Sequence, residues 1–158
     1  SLNSGKDIVS LEGECRHITS YLQIQQVRYQ DILTYDVDIP EEIANCKIPK
    51  ITLQPLVENA LYHGIKNKRG KGRIVVTGRR EKDKCVIRVE DNGIGMTKER
   101  LNQVRGGLTT KIEDSNDFYG LYNVNERIRL KFGEEYGLSI DSVLQEGTCV
   151  EVWLPWES

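Results

Sequence analysis

The chain has 158 residues, 38% hydrophobic and 29% charged, with a formal net charge of −2, which suits one soluble globular domain with a buried core. Acids and bases are interspersed, so no basic face points to nucleic acid and no charge block points to a tail. No apolar run reaches the length of a membrane span. Residues Leu11 to Gln30 read as a helix, because Leu11, Cys15, Ile18, Leu22 and Tyr29 share one stripe. Thr34 to Ile39 alternates as a strand stopped by Pro40. A second helix is expected from Ile51 or Thr52 to His63, with Leu53, Leu56, Val57, Ala60 and Leu61 inward, Pro55 in its first turn and Gly64 ending it. Arg73–Arg80 and Cys85–Glu90 read as strands joined by the polar turn Glu81 to Lys84. Thr97 caps a short helix through Val104 that carries Arg100 in its middle. Gly106 to Phe118 has two glycines and no periodicity, the mark of a mobile, lid-like loop. A third helix spans Leu121 to Phe132, and Leu138–Val143 with Cys149–Leu154 forms a closing hairpin. The architecture implied is an α/β sandwich, one mixed and mostly antiparallel sheet with helices on one face.

Two stretches carry chemistry. On the second helix, Glu58, Asn59, Tyr62 and Lys66 lie away from the apolar stripe, with His63 at its border. The Asn59 carboxamide oxygen is a hard donor suited to Mg²⁺, which leaves its other positions to water and phosphate. The second stretch is Asp91-Asn92-Gly93-Ile94-Gly95-Met96. Asn-Gly alone makes a hairpin turn, but a second glycine and two apolar residues exceed what a turn requires. Asp91 can accept a hydrogen bond from an adenine amino group, a partner that guanine lacks at that position. Gly93 and Gly95 let backbone approach the ring, while Ile94 and Met96 line an apolar slot. Downstream, Tyr119-Gly120-Leu121 opens the third helix, whose free N–H groups suit phosphate oxygens, and the hydroxyl of Thr148 after Gly147 can reach the base side. An ATP pocket is the reading that joins these elements.

Cys15, Cys46, Cys85 and Cys149 form no CxxC pair and have no matching histidine cluster, so reduced thiols are expected. The chain opens on Ser1-Leu2, without Met or signal peptide, and is expected to be a cytoplasmic piece of a longer protein. The run Lys66 to Lys71 is a solvated loop or an aid to phosphate attraction; Gly64 to Lys71 lacks the spacing of a Walker A loop.

These motifs resemble the ATP-binding domain of a sensor histidine kinase, within the GHKL ATPase superfamily. Leu53-Gln54-Pro55-Leu56-Val57-Glu58-Asn59-Ala60-Leu61-Tyr62-His63-Gly64 resembles the N box of the LytS/YesM branch, and Asp91 to Met96 the first glycine box. Gly120 to Ile128 resembles the second glycine box, and Gly147-Thr148 with Leu154-Pro155 the closing segment. Leu11 to Gln25 resembles the helix leading into such a domain. The resemblance implies a Bergerat-type fold, with residues 1–30 as the helix from a missing dimerisation and phosphoacceptor region and 31–158 as the ATP-binding catalytic domain. It implies ATP and Mg²⁺ as cofactors and metal binding by Asn59. It also implies catalytic roles for Glu58 and Asn59, and nucleotide contacts from Asn59, His63, Asp91, Gly93, Gly95, Met96, Gly120, Leu121 and Thr148. The γ-phosphoryl acceptor is expected to be a histidine in a Pro-His-Phe context, which neither His17 nor His63 has; His17 reads as an ordinary surface residue. Expected partners are the chain's own phosphoacceptor helices, a response regulator and, in the full protein, a second copy, with no nucleic acid; the resemblance implies the cytoplasmic domain of a membrane-anchored sensor. One departure stands out: Phe118 occupies the place of the first glycine in the usual Gly-x-Gly, which bears on how the lid closes. The alternatives are a gyrase- or MutL-like ATPase, and an anti-sigma-kinase-like binding module. The first needs a glutamate one turn before Asn59, where Pro55 stands.

Overall fold

The computed structural model describes residues 7–66, 68, 70–110 and 119–157. Strand β1 (Ile8–Ser10) runs directly into helix α1 (Leu11–Arg28). Ser10 caps that helix, its Oγ accepting the Gly13 N–H at 3.1 Å. Glu12 and Glu14 sit in its first turn and Arg28 in its last, matching the helix dipole. Strand β2 (Leu33–Val37), a 3₁₀ turn at Glu41–Ile43 and strand β3 (Lys47–Pro49) follow. β1 and β3 pair antiparallel, Ile8 opposite Pro49. Three-residue strands are too short to show a period, so neither was visible in the sequence.

The main sheet adds β4 (Gly72–Glu81), β5 (Lys84–Asp91), β6 (Gly137–Val143) and β7 (Gly147–Pro155), in the order β2-β4-β5-β7-β6. Only β2 and β4 run parallel; every other neighbour is antiparallel. Ile74, Val76, Ile87, Val89, Val150, Val152 and Leu154 turn to one face and join the core cluster. The other face carries Arg79, Arg88 and Glu151, linked by ion pairs at 3.0 and 3.7 Å. This is the alternation of an antiparallel sheet with one face on the core and one in water. Leu11, Ile18 and Leu22 of α1 are fully buried in the same cluster, so α1 shares its core with the sheet.

The second helix departs from its expected form. Helix α2 (Leu53–Asn59) is α-helical, but Ala60–Ile65 continues as a π-helical turn, closed by the Lys66 N–H on the Leu61 carbonyl at 2.8 Å. Such widened turns occur disproportionately at functional sites, and a 3.6-residue pattern does not reveal them. Helix α3 (Lys98–Gly106) is capped by Thr97, whose Oγ1 accepts the Arg100 N–H at 3.1 Å. Helix α4 (Tyr119–Phe132) buries Leu121, Val124 and Ile128. The start of the expected lid is anchored: Leu108 is buried, and its carbonyl accepts the Asn125 Nδ2 at 2.9 Å. Residues 111–118, and with them Phe118, lie outside the described residues.

Candidate functional site

The loop after β5 is tied down along its length. Asp91 Oδ1 accepts the Gly93 N–H at 2.8 Å, and Asn92 Oδ1 accepts the Arg73 N–H at 2.7 Å. The Ile94 carbonyl accepts the Gln145 N–H at 2.7 Å, and the Met96 N–H reaches Ser142 Oγ at 2.9 Å. Ser142 Oγ also meets Thr148 Oγ1 at 2.8 Å. The β6–β7 turn thus sits on the loop, and Leu144 enters the site from it.

The glycines explain this closeness. A Cβ on Gly93 would stand 2.3 Å from the Gly64 backbone, and one on Gly64 would stand 2.5 Å from Asp91 Oδ1. Gly95, at φ 65°, would bring a Cβ within 2.0 Å of the Val143 carbonyl oxygen. Gly64, expected only to end a helix, therefore also makes room for the Asp91 carboxylate. Burial pushes that carboxyl up to about 6, against the Gly93 and Thr148 backbone N–H groups and Lys68, which pull it down. Lys68 Nζ donates to the Asn92 carbonyl at 2.7 Å, so this lysine of the basic run is engaged with the loop.

A cavity of about 340 Å³ opens between this loop, α2 with the π turn that follows it, and α3. Asn59, His63, Asp91, Gly95, Met96 and Thr148 all line it. Of the other expected residues, Gly93 lies against Gly64 beneath it, and Gly120 and Leu121 lie at the start of α4. Gly120 faces Pro55, the nearest neighbour of an added Cβ at 3.9 Å. Glu58 is not among the lining residues; it lies close enough to Tyr21 of α1 for its charge to help raise that phenol to about 12, an effect led by burial. His17 of α1 hydrogen-bonds Gln54 at 2.5 Å on an exposed surface. The N-box segment therefore has three faces: one in the core, one on the cavity and one toward α1. Periodicity separates the first from the other two but cannot separate those two from each other.

Thr97, Arg100 and Leu144 also line the cavity. The capping pattern at Thr97 marked the start of α3, but no local signal indicated that α3 turns this end to the cavity. Leu144 belongs to a hairpin turn, and the bond of the neighbouring Gln145 N–H to the Ile94 carbonyl holds that turn at the cavity.

The family model for histidine kinase-, DNA gyrase B- and HSP90-like ATPases matches residues 49–158. The chain belongs to that family. It is 36% identical to the sensor histidine kinase YesM of Bacillus subtilis over 98% of this chain and 25% of the relative. It is 31% identical to the sensor histidine kinase BtsS of Escherichia coli, over 99% and 25% respectively. The sensor protein LytS of Staphylococcus saprophyticus is 35% identical over 95% and 25%. The chain thus spans a quarter of the length of these relatives, and it is an ATPase-family domain of the LytS/YesM type. Among solved structures, a nucleotide-free catalytic domain of the histidine kinase ThkA superposes with a TM-score of 0.71 at 11% identity, covering 94% of this chain and 96% of that one. The histidine kinase domain of a blue-light activated kinase from Erythrobacter litoralis gives 0.64 at 15% identity, over 94% and 62%. Both carry the fold of this ATPase-family domain. No described helix is long and apolar enough to cross a membrane.

Proposed function

We propose that this ATPase-family domain binds Mg-ATP and donates its γ-phosphoryl group to a histidine outside the chain. The observation that carries the reading is one cavity lined by both Asp91 and Asn59. Asp91 sits against Gly64, which lies about one helical turn beyond Asn59. A base acceptor and a metal-side donor thus flank the same space. Its walls suit a purine: Met96, Ile94 and Val150 offer apolar surface, and Asp91 offers the acceptor for an exocyclic amine.

The donors also suit Mg²⁺. No cluster of three or more His, Cys, Asp or Glu residues among those described could hold a metal alone. A metal here would rest on Asn59, water and the nucleotide's own phosphates, the arrangement Mg²⁺ favours. When bound, it would supply neutralisation of phosphate charge. Asn59 would hold it, Asp91 would fix the base, and Arg100 and the start of α4 would stand near the phosphates. His63, Gly93, Gly95, Met96, Gly120, Leu121 and Thr148 complete the proposed nucleotide contacts. Glu58, placed toward α1, would act from the rim on an incoming acceptor.

Pro55 stands one turn before Asn59, so the base that efficient hydrolysis requires is missing there, which favours transfer over ATP hydrolysis. In the whole protein, residues 1–30 would lead in from the dimerisation and phosphoacceptor helices. The full kinase would act as a homodimer in the cytoplasm and pass the phosphoryl group to a response regulator.

Calorimetric titration of ATP with and without Mg²⁺ tests the binding half. Asp91→Asn should weaken binding roughly 10- to 100-fold, the worth of one hydrogen bond to a charged group. Asn59→Ala should abolish the Mg²⁺ dependence alone. A folded wild-type domain that ignores adenine nucleotides would sink the proposal.

A further inference from the structure

Glu14 lies on α1 at a position its apolar stripe does not explain. It is 3% exposed, and its carboxylate meets three backbone donors of one turn. Oε1 accepts the Ile51 N–H at 2.9 Å, while Oε2 accepts those of Thr52 at 3.0 Å and Leu53 at 3.2 Å. This turn leads directly into α2. Pro55 has no N–H, so Glu14 takes a large part of the hydrogen bonding that the start of α2 leaves open. A buried carboxylate there is favoured by charge-assisted bonds and by the helix dipole.

The carbonyl side of the same turn is held from another direction. Arg127 of α4 donates through Nη2 to the Lys50 carbonyl at 2.7 Å, with the Ile51 carbonyl and Thr52 Oγ1 at 3.4 Å. Thr52 Oγ1 in turn donates to the Pro49 carbonyl at 2.5 Å. Between these clamps, Ile51 adopts φ 60°, a left-handed conformation that β-branched residues rarely take. Its side chain is 45% exposed, so core packing does not impose that conformation. Such strain persists where the surroundings over-determine it.

We infer that Glu14 is a positioning residue for the nucleotide site. It fixes the turn 50–52, and through the short rigid helix α2 it sets where Asn59 stands, with Arg127 as its counterpart on α4. A displacement of α1 then reaches Asn59 through three hydrogen bonds, and by thermodynamic reciprocity nucleotide binding at Asn59 tightens the hold on α1. The inference rests on the proposed metal-side role of Asn59.

The test uses the gain in ATP affinity on adding Mg²⁺, measured by calorimetry on wild type, Glu14→Gln, Arg127→Ala and Asn59→Ala. In Glu14→Gln an amide NH₂ meets backbone donors. The Mg²⁺ gain should fall about tenfold while Mg²⁺-free affinity stays within twofold, a split that general loosening of the fold would not produce. Arg127→Ala should move the gain the same way, about threefold. If Glu14→Gln does not fold, Arg127→Ala, changed on the exposed side of the turn, decides alone. A wild-type gain in a folded Glu14→Gln or in Arg127→Ala, beside a lost one in Asn59→Ala, overturns the inference and leaves the metal-side reading standing. A gain retained by Asn59→Ala overturns both.

Discussion

The two sides of the cavity are built differently. On the base side, Asp91 ends a strand, and the loop after it is bonded to β4, to Ser142 and to the β6–β7 turn. On the proposed metal side, Asn59 ends a short α-helix at the point where the hydrogen bonding widens to the π form. The base side is held by its sheet neighbours, whereas the metal side is held by two side chains from distant helices, Glu14 and Arg127. On the proposed roles of these residues, the Asp91 side would be preformed for a base, and the Asn59 side would answer to what the surrounding helices do.

The largest expected effect breaks the base side outright. Gly95→Ala places a Cβ against the Val143 carbonyl at a left-handed φ, and should destabilise the domain by about 3 kcal/mol, measured by chemical denaturation. A cost under 1 kcal/mol would mean that this loop is far more pliable than its bonding implies.

Acid should then separate base reading from stability. Because burial raises Asp91 to about 6, its carboxylate is lost as pH falls through that value, and ATP affinity should drop about tenfold per pH unit below it. The same group acts oppositely on the empty domain. Its folded value lies above the ordinary 3.8, so its burial cost is fully present above pH 6 and is relieved as pH falls toward 3.8. Binding isotherms and melts across pH 5–7, with Asp91→Asn as the flat control, check both signs.

A milder change probes the lip of the cavity. Leu144→Ser removes half-exposed apolar surface beside the base and should weaken ATP about fivefold with little change in melting temperature. The smallest effect is expected at Glu58→Gln, which should leave ATP affinity within twofold because Glu58 does not line the cavity, while slowing transfer to an added phosphoacceptor domain. A large loss of affinity there would mean that Glu58 turns to the cavity and the three-faced description of the N box is wrong.

Sequence reasoning went furthest where the determinants are local. Asp91, Gly93 and Gly95 stand within five residues, and a strand followed by glycines states its own geometry. The sheet and four helices were likewise readable from periodicity, caps and turn residues, with ends displaced by a few positions. Glu14 was not, because a glutamate on the first turn of an amphipathic helix looks like a dipole-compensating surface charge until its partners, 37 to 39 positions away, are known. Arg100 and Leu144 were unreadable for the same reason: their roles follow from which elements pack together.

By itself, then, the sequence determined the family, the order of the helices and main-sheet strands, and the types of group that a nucleotide would meet, because each depends on short-range spacing along the chain. Tertiary structure alone decided that Asn59 and Asp91 share one cavity, that Gly64 makes room for the Asp91 carboxylate, that Glu58 comes near Tyr21 of α1, and that Glu14 and Arg127 grip a strained turn. Those are contacts between segments far apart in sequence, and they are settled by packing, which no local pattern encodes.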